Sequence, residues 1–346
     1  MKRSAKWFMA FAVLAAALGA QAAPRSAIEV RLSVPNPVLS GDVDVVVDVT
    51  VTNTARHPVM LLKWQLPSDE LEAALFKVTR DDQLVRYLGP VIKRTAPEAA
   101  DKVRLDPGAS LSYSVELTGA YDLSRSGRYS ITYASRGKHG DAVALASEPM
   151  YLWLEGRSGK SSLAAAAPAP APAAASLSYT GNCSASQQST LAGAVAAATS
   201  YATLATTYLS GAASATTRYT TWFGTFSPTG WDTAKSHFAA EQSAFTTQAL
   251  TLDCKCKKQN IYAYVYPTQP YKIYVCGAFW AAPMTGTDSK AGTLVHEMSH
   301  FNVVASTDDW AYGQTAAKAL AISDPTKALD NADSHEYFAE NTPAQP

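Results

Sequence analysis

Apolar and polar residues alternate along several short runs in the first half of the chain. "DVDVVVDVTVTN" (42–53), "SLSYSVELTG" (110–119) and "GRYSITYAS" (127–135) each keep a two-residue period, which turns one face of a strand to a core. Gly, Pro, Asn and Asp punctuate the intervals. Short, regularly spaced strands with no helical period predict an all-β sandwich of immunoglobulin-like type, spanning about Ile28 to Leu154. No cysteine falls within it, so apolar packing alone must hold it.

The pattern then breaks. "GRSGKSSLAAAAPAPAPAAAS" (156–176) alternates Ala with Pro, the mark of a stiff extended linker. Beyond it the period lengthens. "SASQQSTLAGAVAAATSYATLATTYLSG" (184–211) predicts a long Ala-rich helix capped by Ser184 or Ser186. "TAKSHFAAEQSAFTTQALTL" (233–252) predicts a second helix, and "NIYAYVYPTQPYKIYVCGAFW" (260–280) predicts two aromatic-rich strands around a Pro-Thr-Gln-Pro turn. This zone is α+β and mainly helical.

The start of the chain has a basic pair, Lys2 and Arg3, an apolar run from Trp7 to Leu18, and Ala20-Gln21-Ala22. That is the layout of a secretory signal peptide cleaved after about Ala22; the alternative is a short membrane anchor. The expected organisation is a signal at 1–22, a β-sandwich at 23–155, the linker at 156–176 and a second domain at 177–346. Export to the extracellular space changes how the cysteines read. Cys183, Cys254, Cys256 and Cys276 suggest two disulfides. Cys254 and Cys256 are too close to pair easily with each other. A zinc cluster is the weaker alternative, because the spacing is C-x-C. Lys plus Arg equals Asp plus Glu at 29 each, so charge favours neither nucleic acid nor, once the signal is removed, a membrane surface.

The chemistry concentrates in "GTLVHEMSHFNVVASTDDWAYG" (292–313). His296 and His300 stand one helical turn apart, so both imidazoles reach one ion. Glu297 is displaced around the helix, where it can serve as general base. H-E-x-x-H is a known zinc-protease signature. A catalytic zinc takes three protein ligands and leaves an open position. A third His after a Gly fails here, because Val303 and Ser306 occupy those positions. Asp308 and Asp309 are the acids within reach of a tight turn. His237 and His335 lack ligand spacing and read as structural or exposed.

H-E-x-x-H followed by Ser306-Thr307-Asp308-Asp309-Trp310-Ala311-Tyr312-Gly313 resembles the aspzincins, the deuterolysin family of metalloendopeptidases, whose segment reads G-T-x-D-x-x-Y-G. The resemblance covers the last half of the chain and departs at Ser306. It implies a zincin-like domain with one zinc on His296, His300 and Asp309, Glu297 as base and Tyr312 as oxyanion donor. "NADSHEYFAENTP" (331–343) resembles the peptidyl-Lys metalloendopeptidase branch. That likeness implies that Asp333 and Glu336 bind a substrate lysine, and that the disulfides are Cys183–Cys254 and Cys256–Cys276.

The expected function is therefore a secreted zinc endopeptidase acting on proteins or peptides before lysine, made as a precursor. Its N-terminal domain would act as inhibitor or folding chaperone, with Lys160 as a processing point. Two rivals remain: a broad-specificity deuterolysin-like protease, and a non-catalytic surface-binding protein with structural zinc. Glu297 and Tyr312 weigh against the second rival, since structural zinc needs neither.

Overall fold

The computed structural model describes residues 27–68, 71–135, 143–159 and 176–346. The expected signal segment (1–22), most of the expected linker and Lys160 lie outside the described residues. The N-terminal region is β-rich and the C-terminal region helical, so the chain is multidomain.

In the first region a three-stranded sheet joins Ile28–Ser33, Val46–Asn53 and Ser110–Glu116, all antiparallel. A second sheet runs in the order Val38–Ser40, Met150–Glu155, Gly127–Ser135, Phe76–Arg80, Gln83–Val85, with Leu145–Ala146 paired beside 127–135. The alternation decides which side chains meet. Val47, Val49 and Val51 from the first sheet share one core with Val78, Tyr129, Ile131, Tyr133, Leu152 and Leu154 from the second. The intervening residues of strand 46–53 are exposed or half-buried.

The second region packs helices on a five-stranded sheet. The helices are α1 (Ala185–Leu209), α2 (Thr217–Phe223), α3 (Pro228–Thr247), α4 (Gly277–Ala281), α5 (Lys290–Ser299), α6 (Gly313–Ser323), α7 (Pro325–Leu329) and α8 (Ala332–Glu340). Ser184 caps α1 in a capping box with Gln187. Helix α3 begins at Pro228, earlier than the period suggested, because Ser227 caps it and proline suits its first turn. It also ends earlier: 249–253, "ALTLD", is a strand, since its Leu pair packs into the sheet core rather than along a helix face. Among the described residues no helix is long and apolar enough to cross a membrane.

The five-stranded sheet has the order Ser176–Thr180, Ala249–Asp253, Lys272–Val275, Ile261–Val265, Val91–Arg94. Its last strand comes from the first region. Val91–Arg94 runs antiparallel to Ile261–Val265, pairing Val91 with Val265 and Ile92 with Tyr264. Around it, Arg94 binds Glu72 at 2.8 Å, Lys258 reaches the same carboxylate, and Arg86 donates to Asn302 at 2.7 Å. Both disulfides form in the second region, Cys183–Cys254 and Cys256–Cys276, and no described cysteine is free.

Candidate active site

Helix α5 is buried along its whole length, and Ser289 caps it by accepting from the Gly292 N–H. His296 and His300 therefore lie in the interior, 0% and 1% exposed, with ring centroids 4.8 Å apart. After the helix the chain reverses through Ser306, whose φ of +57° is left-handed. This is the position where the motif carries Gly, and serine adopts the same turn at some conformational cost. Thr307 N–H then donates to Ser299 O at 3.2 Å, and the returning chain aims Asp309 at the histidines. Asp308 points elsewhere: its side chain accepts from the Asp309 N–H and its backbone bridges to Asn331.

Asp309 Oδ1 lies 3.2 Å from His296 Nε2 and 3.4 Å from His300 Nε2. Ligand atoms about 2.0–2.1 Å from a tetrahedral zinc stand about 3.3–3.4 Å apart. All three atoms are buried and lack a hydrogen-bond partner, as do both oxygens of Glu297. Buried polar atoms left unpaired are costly, so this donor set fits a cation. The outer contacts orient the rings. His300 Nδ1 is 2.8 Å from the Thr307 carbonyl, which places the ring proton there and leaves Nε2 bare. Burial alone would raise the Asp309 carboxyl, but His300 and His296 beside it hold it well below the usual range. Burial pushes Glu297 up to about 7, which suits a group that takes and returns a proton.

Helix α8 packs against α5 at a close approach made possible by Gly292. A Cβ there would meet Glu340 Oε1 at 2.1 Å and Glu336 Cγ at 3.0 Å. Glu340 accepts from Ser289 N–H at 2.9 Å and Ser289 Oγ at 2.8 Å, tying the end of α8 to the start of α5. Asp333 and Glu336 share the face of α8 toward α5, and both are fully buried. Between them lies the ammonium of Lys93, 3.1 Å from Asp333 Oδ1 and 2.6 Å from Glu336 Oε2. Burial would lower the lysine, but Asp333, Glu336 and Asp288 overcome it and hold it well above its ordinary value. The rings of Tyr262 and Tyr337 stand 5.5 and 5.9 Å from the ammonium.

The residue before this lysine is equally placed. The Tyr312 hydroxyl is 2.8 Å from the Ile92 carbonyl and 2.6 Å from Asp309 Oδ2, and its single proton serves one of them at a time. Burial and Asp309 push the phenol well up, so it stays a donor. A cavity of about 50 Å³ beside Ile92, Asp309 and Tyr312 has room for water.

All the predicted site residues thus converge, and His237 and His335 pair with each other at 3.0 Å instead. Sequence reasoning missed Lys93, Gly292 and Glu340. A glycine inside a helix costs about 1 kcal/mol, which is a signal of close packing. "VIKR" carries none, because any short apolar run ending in basic residues reads the same.

A model of the aspzincin family, described as lysine-specific metallo-endopeptidase, matches residues 208–340. An extracellular protease of Aeromonas hydrophila is 47% identical over 311 residues, 87% of this chain and 89% of that protein. A peptidyl-Lys metalloendopeptidase of Grifola frondosa is 35% identical over 334 residues, 92% of this chain and 94% of its own. Among solved structures, a zinc peptidase from Grifola frondosa is 51% identical, covers 47% of this chain and all of its own, and has a TM-score of 0.46. Similarity at this level over most of both chains, joined to a buried His-His-Asp donor set with a glutamate beside it, places the chain in the aspzincin family of zinc-dependent metalloendopeptidases.

Proposed function

We propose that the protein hydrolyses peptide bonds on the amino side of lysine, and that its N-terminal region keeps the cleft closed until removed. One observation carries this reading. Lys93 sits in the acidic pocket while the carbonyl of the preceding Ile92 meets Tyr312. A substrate strand in the same register, paired to Ile261–Val265, would offer an Xaa-Lys bond at the same place. The pocket suits an ammonium, a compact charge with three donors, and a neutral side chain would leave its two facing carboxylates without that counter-charge.

His296, His300 and Asp309 would hold one zinc per chain. When bound, that ion acts as a Lewis acid toward the scissile carbonyl and makes water acidic. Glu297 takes the proton of the attacking water and returns it to the leaving amine. Tyr312 donates to the oxygen on which negative charge develops, and its high pKa keeps the proton in place for that role. The pocket carboxylates orient the lysine side of the bond and do not touch the reacting atoms.

The remaining parts of the reading follow from organisation. The signal at 1–22 would direct export to the extracellular space, which agrees with a relative named as an extracellular protease. The two facing sheets at 23–155 would be an immunoglobulin-like pro-domain, 156–176 the linker, and 177–346 a zincin-like catalytic domain. Maturation at Lys160, or at another point of the linker, would release the strand 91–94.

The test is the peptides made from a denatured protein by the secreted, processed enzyme. Peptides beginning mainly with lysine are expected, with the preference weakened in Asp333→Ala. Starts spread over apolar residues would favour a broad-specificity enzyme and discard the pocket. Full activity in the unprocessed chain would discard the inhibitory role.

A further inference from the structure

Asp333 faces two ways. Its Oδ2 accepts from the Gly313 N–H at 2.6 Å, which anchors the carboxylate. Its Oδ1 alone serves both the Lys93 ammonium, at 3.1 Å, and His296 Nδ1, at 2.8 Å. The contact to Nδ1 is at hydrogen-bonding distance but off the N–H axis, since that nitrogen satisfies no aligned bond. Glu336 divides its attention differently: its Oε2 is 2.6 Å from Lys93 and 3.4 Å from His296 Nδ1. Glu336 is thus the acid nearest the lysine, though neither of its oxygens accepts an aligned hydrogen bond, while Asp333 accepts one from Lys93 and is also the acid nearest His296 Nδ1. Helices α5 and α8 cannot drift apart to separate these roles, because Glu340 and the Gly292 contact hold them together.

We propose that Asp333 is a positioning residue that couples occupancy of the lysine pocket to the grip of His296 on the metal. This rests on the pocket and metal site proposed above. A carboxylate behind Nδ1 makes Nε2 a better ligand, as outer partners of metal-binding histidines do. An ammonium against the same oxygen draws on the same negative charge, and at this depth screening is weak. Lysine in the pocket therefore loosens the hold of His296 and leaves the ion a stronger Lewis acid. By linkage, metal in the site loosens the lysine by the same factor. Lysine selectivity then appears in the rate of bond cleavage as well as in binding, because a neutral side chain leaves Asp333 wholly to His296. Glu336, farther from the ring, sets affinity for the amine with little effect on the metal.

The experiment uses the full chain with Glu297→Gln, which keeps it intact. Lys93→Ala removes the three carbons and the nitrogen that n-propylamine can supply. Melting temperature reports whether the amine binds, and transfer of zinc to a chromogenic chelator reports the grip on the metal. Propylamine should raise the melting temperature of the Lys93→Ala chain and speed zinc release several-fold, whereas 1-propanol should do neither. With Glu336→Gln added, more amine should be needed but the full speed-up should return at saturation. With Asp333→Asn added instead, release should no longer respond to the amine. Binding with unchanged zinc release overturns the coupling and leaves the pocket standing. An undiminished response in the Asp333→Asn chain reassigns the coupling away from Asp333 and also overturns it. Failure of propylamine to bind the Lys93→Ala chain overturns the coupling together with the pocket.

Discussion

The two regions solve the problem of burial in opposite ways. The β-rich region hides Val, Leu, Ile and Tyr and keeps most of its charge at the surface; its sheets need no disulfide. The helical region buries His296, Glu297, His300, Asp309, Asp333, His335, Glu336 and Glu340, and carries both disulfides. A buried charge is expensive unless paired or bound to a metal, so the second region carries a destabilising centre that its cross-links and packed helices offset. Lys93, fully buried, is the point at which the first region answers the charge of the second. The comparison teaches that the first region is built to fold and the second to react, and that they meet at an ion-paired strand and the polar contacts around it.

The largest expected effect lies wholly in the second region. Glu297→Gln should lower turnover by about 10²–10⁴-fold, the usual worth of a general base. Metal analysis and melting should show zinc and fold retained, because the amide keeps the shape of the acid. Turnover near that of the unaltered enzyme would remove Glu297 from the mechanism.

Breaking the meeting point comes next. Lys93→Ala leaves two buried carboxylates facing each other, and losing one partner of a buried pair costs about 3–5 kcal/mol. The exposed Lys77 of the same region should change stability by less than about 0.5 kcal/mol when replaced by Ala. Denaturant unfolding of both variants measures the contrast, and equal effects would mean that Lys93 contributes no more than a surface lysine.

Reduction should divide the regions. Cys183–Cys254 and Cys256–Cys276 close separations of 71 and 20 residues. On the chain-entropy account they contribute about 4 and about 3 kcal/mol. A reductant should lower the unfolding midpoint followed by tryptophans of the helical region, and leave the β-rich region nearly unchanged.

The pH dependence is a finer probe. Burial raises Glu297 from its ordinary value to about 7, so its neutral form is the one the fold favours. That contribution is complete below the ordinary carboxylate range and fades as pH rises through about 7. Metal-free protein should therefore lose stability between pH 5 and pH 8, by about 3 kcal/mol at most from this group. Glu297→Gln should flatten that change; an unaltered slope assigns it elsewhere. Smallest of all, Ser306→Gly relieves a left-handed serine and should stabilise by up to about 1 kcal/mol, or leave melting unchanged if the freer unfolded chain cancels it.

The strands of the β-rich region were legible because alternation is a local property: each residue's neighbours two places away decide its face. The His296–His300 pair was legible for the same reason, since one helical turn fixes their common side. Asp333 and Glu336 share a face by the same helical arithmetic. The short helices α2, α6 and α7 were not, because five to eleven residues carry too little periodic signal. The family motif named Asp309 over Asp308, while the left-handed turn at Ser306 is what physically aims one and not the other. Only tertiary structure could seat strand 91–94 beside 261–265, about 170 residues away, and so bring Lys93 between two acids of α8. Pairing across that distance is set by complementarity of edge, register and charge in space, and no local pattern in "VIKR" encodes its partner. The sequence by itself determined which residues could do the chemistry; the folded chain decided that Lys93 lies between the two acids of α8, and that Asp333 faces both that lysine and His296.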